Sequence, residues 1–565
     1  MQHTHDFSLA IIADAHFHDI DGDYGVPGVT LGARSLTLRS WADSRASTRV
    51  FNESAMALDA ALKAIVARNI HHVVLLGDYT DDGQRTTTAN AAKLFKEHEA
   101  RHGTRFYALP GNHDIFGPKG RHQAKRFLQA DGSSLLVTSD VSETAPNHIV
   151  NPAMYCEGYP LGLAPMAAFG YFRRSDYLYW ETPFGLSDDP LERTYKVSSQ
   201  DGQNLYSLMD ASYLVEPEDG FWLLMLDANV FEPRDGVFPI GSEQAFIDST
   251  AAGWNAMLRL KPFIVEWMAD VATRAKQLGK TLLAFSHYPA IDPFDDPEGT
   301  REVLFPNSTM TKRKPSDAVA NALIAAGIPV HFSGHLHVEG VSLHNNDDGQ
   351  LVNVAVPSLV AFPPAFKHLK IGKHTVAVET VDLAGLPMDA DIISLYRRET
   401  ALLGYEPDKA LAADTYGQFL RLHTAALVIH RYFPTEWPSD IVTCLAPMSL
   451  EQLCLDERTR PNGMDANGLA ILCQQGQLSQ QDLAQLSIPE LVSDWYCLSQ
   501  AASLALPVLG EQRLKLLHWV ADLYCDANNQ AEETTVSVFL RVFFQALRHF
   551  LNRAKSPVEA ISLFD

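Results

Sequence analysis

Short apolar runs, each followed at once by polar residues, recur along the N-terminal two thirds of the chain. The clearest runs cover residues 8–13, 73–76, 106–109 and 282–285. Their length and their polar boundaries are typical of strands buried inside a sheet. Since ligands bind at the carboxyl edge of open α/β sheets, we expect the polar residues that follow these runs to lie together at one edge.

Helical patterns alternate with these strands near the N-terminus. Leu58, Leu62 and Ile65 fall on one face of a predicted helix, and Asn52 is placed to cap its start. A second helical stretch, at about residues 91–100, separates the second strand from the third. This alternation predicts an α/β fold with parallel strand pairing near the N-terminus.

The middle of the chain is less regular. Residues 116–217 are rich in Gly, Pro, Tyr and Asp, so we interpret them as an insertion over the mouth of a site. Strands are predicted again at residues 221–226, around His331 and at residues 351–356. The sheet-containing unit is predicted to end near residue 395.

Beyond that point the apolar spacing changes to that of helices. The helical faces carry Tyr416, Phe419, Leu420 and Leu427; Leu516, Leu517, Val520 and Leu523; and Val536, Phe539, Phe543, Leu547 and Phe550. A chain of 565 residues exceeds the usual single core of roughly 250–300 residues. We therefore predict two domains, residues 1–395 and an all-α domain at 396–565. They are expected to pack together, because no Gly/Ser-rich linker separates them.

Charge and hydropathy narrow the classes of partner. The chain has 45 Lys plus Arg against 68 Asp plus Glu, a net charge of −23. A field of that sign repels polyanions, so long nucleic acid and anionic membranes are not expected as partners. No apolar run reaches the roughly 20 residues needed to cross a bilayer. A small phosphate ester stays compatible, because bound divalent cations would dominate the potential inside a cleft.

Cysteine use and the N-terminus favour a cytoplasmic protein. Six Cys without a CxxC pair, in a chain of this size, favour buried reduced thiols over a disulfide framework. Residues 7–13 are apolar, and residues 13–15 mimic a signal-peptidase site, but this stretch lacks Lys and Arg. We interpret it as the first strand of the fold, although a protein trimmed of a leader would look the same. The sequence leaves the oligomeric state open.

Five short motifs supply the candidate chemistry. They are Asp14-Ala-His16, Gly77-Asp78, Gly111-Asn112-His113-Asp114, Ser286-His287 and Gly334-His335-Leu-His337. Mixed imidazole and carboxylate ligands favour Mn, Fe or Zn over Ca or Mg. Two such ions roughly 3.5–4 Å apart can hydrolyse a phosphate ester. The motifs therefore predict a two-metal hydrolase site, with the ligands Asp14, His16, Asp78, Asn112, His287, His335 and His337.

Two further motif residues are assigned to proton transfer rather than to metal binding. We predict that His113 protonates the leaving oxygen of the substrate. Asp114 is expected to orient the imidazole and to keep its imidazolium form populated near neutral pH.

The ordered motifs resemble those of the calcineurin-like metallophosphoesterases, whose pattern runs DxH, GDxxxDG, GNH[DE], a lone His and GHxH. The resemblance covers roughly residues 7–380 and implies a four-layer α/β/β/α sandwich. It implies that one ion is held by Asp14, His16, Asp78 and His337, and the other by Asp78, Asn112, His287 and His335. It also implies that a hydroxide bridging the two ions attacks phosphorus.

Departures from the family pattern indicate a subgroup. The Ser/Thr protein phosphatases carry an arginine where this chain has Asp82, and a Glu where it has Asp114. Purple acid phosphatases carry a Tyr where this chain has Asp81. The remaining pattern, together with residues 222–227 and 357–363, resembles bacterial class III cyclic-nucleotide phosphodiesterases with an added C-terminal helical domain.

Three hypotheses follow for the function. A phosphodiesterase acting on a small nucleotide, including cyclic ones, is favoured. A phosphomonoesterase or nucleotidase using the same metals is the alternative. A binding scaffold without catalysis is disfavoured, because a scaffold has no need of the acid His113.

Overall fold

Two β-sheets form the centre of the N-terminal part of the protein. The computed structural model describes residues 7–239, 242–251, 253–296, 299–372, 375–526, 534–556 and 560–562. The strands of the first sheet lie in the spatial order Ala560–Ser562, Thr375–Asp382, Ala365–Ile371, Phe7–Ile12, His72–Leu76 and Arg105–Leu109. Those of the second sheet lie in the order Tyr179–Glu181, Tyr213–Glu218, Phe221–Leu226, Thr281–Ser286, Val330–Ser333, Gly349–Ala355 and Gly340–Asn346.

The parallel pairing predicted near the N-terminus is confirmed. Phe7–Ile12 and Arg105–Leu109 flank His72–Leu76, and both pair with it in parallel. The helices Glu53–Ala67 and Arg85–His102 connect these strands along the chain. Strands covered on both faces need apolar side chains on both faces, which explains their unbroken apolar runs.

The two sheets pack face to face. Ile11 and Val74 of the first sheet share one buried cluster with Leu223 of the second. The Tyr213 hydroxyl also donates to the backbone oxygen of Ala108 at 3.0 Å, which links the two sheets directly. The outer face of the second sheet packs against the helices Gly253–Leu260, Pro262–Leu278 and Asp317–Ala325. The predicted α/β/β/α sandwich is thus confirmed.

Shorter elements complete this part of the protein. The small strands are Val29–Leu31, Arg34–Leu36, Gly120–Arg121, Ala124–Leu128, Ser134–Thr138, His148–Val150, Cys156–Glu157, Thr194–Ser198 and Leu205–Met209. The short helices are Trp41–Ser44, Thr300–Leu304 and Thr309–Lys312. Most of the small strands lie within residues 116–217, so this segment is more regular than its composition predicts.

Helices dominate the chain from residue 390 to residue 553. They are Ala390–Leu402, Tyr416–Leu427, Phe433–Thr435, Ser439–Leu445, Leu450–Leu455, Ala466–Gln475, Gln480–Gln485, Ile488–Ala501, Ala505–Leu509, Glu511–Cys525 and Thr535–Arg553, with a π-helical turn at Val428–Tyr432. Ala560–Ser562 then pairs with Thr375–Asp382 and so returns the chain to the first sheet. The domain boundary at residue 395 stays a prediction, and a single helix spans it.

The helical region packs on the sheets through buried polar contacts as well as apolar ones. The Glu399 carboxylate accepts from the backbone N–H of Trp41 at 2.7 Å. Asn52 precedes its helix as predicted, but its side chain bonds to the backbone of Arg39 and to the Tyr396 hydroxyl. The predicted cap is therefore wrong, because a tertiary contact takes the amide away from the helix end.

Two expectations from composition can be compared with the structure. Cys156, Cys454, Cys473 and Cys497 are buried free thiols, in agreement with the prediction. Within the described residues, none of the helices combines the length and the apolar character needed to cross a membrane.

Glu53 provides a test of the contact between the helical region and the sheets. Its side chain is buried, and its Oε1 accepts from the Tyr396 hydroxyl at 2.9 Å. Burial raises the pKa of Glu53 to about 7. A carboxyl group whose pKa is raised by folding favours the folded state while protonated, and this contribution is lost as the pH rises through 7.

We predict that Glu53→Gln raises the free energy of unfolding at pH 8 by about 1–3 kcal/mol, because the amide needs no ionisation. The difference should shrink below pH 5, where both proteins are neutral at this position. Urea titrations at the two pH values measure it, with Glu266→Gln, on an exposed helical position, as the control. An equal difference at both pH values would contradict the prediction.

Candidate metal centre

The seven predicted ligands meet in the gap between the sheets. Asp14 and His16 follow Phe7–Ile12, and Asp78 follows His72–Leu76. Asn112 follows Arg105–Leu109, and His287 follows Thr281–Ser286. His335 and His337 follow Val330–Ser333. All seven are buried. Residues far apart in the sequence thus converge because each stands at the carboxyl end of a strand.

Six of these residues form two groups of three. The first group is Asp14, His16 and His337, and the second is Asp78, His287 and His335. Within each group, potential ligand atoms lie within 4.8 Å of one another. This division is the one that the family resemblance implies for the two ions.

Asp78 of the second group also approaches the first group. Its Oδ2 is 3.3 Å from Nε2 of His287 and 3.7 Å from Nε2 of His16. Its Oδ1 accepts from the backbone N–H of His113 at 2.7 Å, which fixes the carboxylate plane. One carboxylate therefore reaches both groups, as a bridging ligand must.

The polar atoms here fit metal ions better than they fit one another. His16 and His337 bring their Nε2 atoms to 3.3 Å, and Nδ1 of His335 lies equally close to Nε2 of His287. Within the described chain, the buried Oδ1 of Asn112 has no hydrogen-bond partner. Buried polar atoms are normally satisfied. A cation beside these lone pairs would satisfy them, so the donor set fits two metal ions.

Partners outside the two groups orient the ligands. Nδ1 of His287 donates to the backbone oxygen of Leu76 at 2.9 Å, which leaves Nε2 facing Asp78. The backbone N–H of His335 donates to Asp14 at 2.9 Å. Such contacts fix the tautomer and the ring orientation of a ligating histidine.

The backbone at the site is strained. Asp14, His16, Asp78, His335 and His337 all have positive φ, between 40° and 71°. Non-glycine residues rarely adopt this conformation, and such residues cluster at functional sites. The positive φ values turn the side chains of these residues towards one point. In an extended strand, successive side chains would point to opposite faces.

Two motif glycines are required by close packing. A Cβ atom on Gly111 would lie 2.1 Å from Oδ1 of Asp78, and one on Gly77 would lie 2.4 Å from Nδ1 of His287. Gly77 also has a φ of 83°, a conformation that side chains disfavour. The glycines of the motifs therefore make room for the ligands.

The electrostatics reflect two buried carboxylates among imidazoles. Burial alone lowers the pKa of His287, but Asp78 and Asp14 outweigh it and raise the pKa to about 9. Burial lowers the pKa of His16 and of His335 well below the usual value. Neutral imidazoles are the form that binds metal ions.

The expected pairing of Asp114 with His113 is wrong. The Asp114 carboxylate accepts from the backbone N–H groups of Gly111 at 2.9 Å and Thr80 at 3.0 Å, which ties two motif loops together. The carboxylate at Nδ1 of His113 is that of Asp82. Asp114 directly follows His113 in the sequence, but its carboxylate points towards the backbone of Gly111 and Thr80 rather than towards the His113 ring.

Opposing effects act on the charge of His113. Removal from water and the nearby Arg49 guanidinium lower its pKa to about 3. The side chain keeps 23% of its surface exposed at the floor of the cleft. The Asp82 carboxylate at Nδ1 acts in the opposite direction and favours the imidazolium form.

Arg49 is a site residue that sequence reasoning missed. Its Nη2 lies 3.0 Å from Asp82, 3.1 Å from Asp81 and 3.3 Å from Nδ1 of His113. The guanidinium also lines the cleft above the ligands. Arg49 lies in an irregular stretch without a motif, so its sequence carries no signal of this position.

The ligands open into a cleft of about 460 Å³. The residues 47–49, Met310, 312–313 and 361–362 form part of its wall, and the helical region supplies another part. Within the described residues, the segment 116–217 does not line this cleft, although the ring of Phe116 is 5.2 Å from that of His113 and Lys125 forms an ion pair with Asp82. Its position over the mouth stays a prediction, whereas residues of the helical region do line the cleft.

Three solved structures are similar to the chain at low identity. A dimetal phosphatase from Danio rerio is 14% identical with a TM-score of 0.34, and covers 66% of this chain and 96% of its own. GAP50, the anchor in the inner membrane complex of Plasmodium, is 8% identical with a TM-score of 0.29, and covers 67% and 84%. Phosphopantetheinyl hydrolase from Mycobacterium tuberculosis is 10% identical with a TM-score of 0.24, and covers 63% and 91%.

No curated protein sequence matches the chain significantly. One family model does match, over residues 7–157, which hold the first three motifs. Its description is calcineurin-like phosphoesterase. Residues 7–157 thus carry the calcineurin-like phosphoesterase pattern, and the α/β sandwich built on them is the metallophosphoesterase fold.

Proposed function

We propose that this protein is a dinuclear-metal phosphoesterase, and that it acts on a phosphodiester of a small nucleotide. The observation that carries the proposal is the convergence of two ligand groups on Asp78 at the floor of a cleft. Asp14, His16 and His337 would hold one ion with Asp78, and Asn112, His287 and His335 would hold the other. When bound, the ions would supply Lewis-acid charge stabilisation and acidify a water molecule.

The surrounding residues have separate tasks in this proposal. Hydrolysis adds a water oxygen to phosphorus and breaks the bond to the leaving oxygen, which takes up a proton. His113 would give that proton from Nε2, since Nδ1 faces Asp82 and Arg49. The negative charge of the bound phosphoryl group opposes the effect of Arg49 and favours the protonated imidazole. The Arg49 guanidinium is also placed to pair with a phosphoryl oxygen.

Diester hydrolysis is favoured over monoester hydrolysis for two reasons. The motif departures at Asp81 and Asp82 resemble the class III cyclic-nucleotide phosphodiesterases. The cleft, at about 460 Å³, extends well beyond the ligands and can take a group on each side of phosphorus. Monoester hydrolysis on the same ligands is the alternative.

Substrate comparison tests the proposal directly. After chelation and addition of Mn²⁺, we expect faster hydrolysis of bis-p-nitrophenyl phosphate and of cyclic AMP than of p-nitrophenyl phosphate. A preference for the monoester would move the protein to the nucleotidase class. Bound metal with no turnover of any of these esters would sink the enzyme hypothesis.

Metal content tests the assignment of the bridging ligand. We predict two Mn²⁺ ions per reconstituted chain and at most one after Asp78→Asn, because the amide lacks the charge that offsets two cations. Inductively coupled plasma mass spectrometry on the desalted protein gives the ratio. Asp248→Asn, which removes a carboxylate outside both groups, should keep both ions. Two ions in both variants would argue against the bridge.

His113→Asn tests the acid. We predict a fall in kcat of about 10²–10⁴-fold for esters with poor leaving groups, the range of general acid catalysis. The fall should be smaller for p-nitrophenyl esters, whose leaving group needs no proton. Steady-state rates on both ester types measure this, with the exposed His71→Asn as the control. Equal losses on the two types would contradict proton donation by His113.

A further inference from the structure

The wall of the cleft opposite the ligands comes from the helical region. Arg431, Tyr432 and Gln500 line the same cleft as Asp78 and His335. Residues after the predicted domain boundary thus face the reacting groups across one cavity. A substrate bound at the metal centre has to lie against this wall.

The wall of the cleft is more basic than the chain as a whole. Its lining, apart from the ligands, includes four cationic and two acidic side chains, namely Arg49, Lys312, Arg313, Arg431, Asp248 and Glu436. Arg49 is paired with Asp81 and Asp82, whereas the other three cations have no ion pair among the described residues that line the cleft. The chain as a whole has a net charge of −23. A basic wall in an acidic protein favours small anions locally.

Arg313 is a guanidinium without a counter-ion. Its Nε is buried and has no hydrogen-bond partner, and none of the described carboxylates forms an ion pair with it. Burial is the main cause that lowers its pKa, and the neighbouring charge of Arg431 adds to this. Tyr288, Asp248 and Glu436 oppose this lowering. Arg313 lines the same cleft as the ligand His335.

Arg431 faces the same cleft from the helical side, and Glu436 acts electrostatically on both arginines without forming an ion pair with either among the described atoms. Its Nη1 donates to the backbone oxygen of Ala46 at 3.2 Å, whereas its Nε is buried and unpartnered among the described atoms. Arg431 lies in the π-helical turn Val428–Tyr432, three residues before Pro434. Proline lacks the N–H that would continue the helix, and π-helical turns are frequent at functional sites.

Two neighbouring cations with unmet donors are unfavourable in a partly buried wall. Leaving a charged donor unsatisfied away from water costs free energy, and like charges repel each other. An anion between Arg313 and Arg431 would remove both costs at once. Guanidinium groups bind phosphate oxygens in a fork geometry, so phosphate is the anion that fits best.

We propose that Arg313 and Arg431 bind a second phosphoryl group of the substrate, distinct from the one that is hydrolysed. The inference rests on the proposed phosphoesterase function and specifies its substrate class: a small nucleotide diester that carries an additional phosphate. The metal centre would hold the reacting phosphoryl group, and Arg313 of the sheet-containing part together with Arg431 of the helical region would hold the other. The helical region would thereby contribute to specificity.

A matched pair of chromogenic diesters tests this proposal. Thymidine 5′-(p-nitrophenyl phosphate) and its 3′-phosphorylated form share the reacting group and differ only in the second phosphate. We expect kcat/KM to be about tenfold or more higher for the 3′-phosphorylated form, the gain of one charge-assisted hydrogen bond. Arg313→Gln and Arg431→Gln should each bring this ratio close to one. Arg173→Gln, at an exposed position away from the cleft, should retain it.

A binding measurement separates failure of the subsite from failure of the enzyme hypothesis. Calorimetric titration of the metal-depleted protein with inorganic phosphate should show a site that is weakened in Arg313→Gln and in Arg431→Gln, but not in Arg173→Gln. Turnover of both diesters with a ratio near one in the wild type would overturn the subsite and leave the phosphoesterase function standing. Absence of turnover would count against the phosphoesterase function, and unchanged phosphate binding in both variants would overturn the subsite by itself.

Discussion

The buried carboxylates of Asp14 and Asp78 impose the constraint on which the rest of the site depends. Both lie in the gap between the two sheets with almost no exposed surface. An unpaired buried charge costs several kcal/mol, so such groups need cations or hydrogen-bond donors around them. The backbone N–H groups of His335 and His113 supply donors, and the imidazoles of the two ligand groups complete the shell. Bound metal cations would balance the negative charges of Asp14 and Asp78.

This constraint also explains the local backbone. Carboxylates at neighbouring strand ends point in different directions unless the chain leaves the extended conformation. Positive φ at Asp14 and Asp78 brings them together, and Gly111 admits Asp78 at a distance that a Cβ would forbid. Strain of this kind persists only where the surrounding structure over-determines it. The fold therefore stabilises a site that the local sequence alone would not form.

The sequence predicts elements well where local pattern decides them. The apolar runs became strands, and the helices around Phe419, Leu517 and Phe543 were also expected from spacing. The strand Ala560–Ser562 was missed, since three residues carry no readable period and their pairing is set by the open edge of Thr375–Asp382. Tertiary contact overrides local preference there.

The candidate site likewise contains residues that the local sequence predicts and residues that it does not. Its ligands were predicted because each stands in a motif after a strand. The partners of His113 were not, because Asp82 and Arg49 reach it from 31 and 64 residues away in the chain. The helical wall carrying Arg431 was likewise invisible, since an amphipathic pattern says which face is apolar and not what the polar face meets.

Asp82 shows that a residue type can be absent from a motif position while its chemical group is still present at the site. The arginine that the protein phosphatases carry there is absent, yet Arg49 brings a guanidinium to the carboxylate that replaced it. Arg49 also reaches Asp81 and lines the cleft, so it is held rigidly where an anionic substrate arrives. A guanidinium restrained by two carboxylates loses little side-chain entropy when it pairs with phosphate. Loss of the arginine from the motif therefore does not remove the guanidinium from the site, and specificity has to be argued from the walls of the cleft.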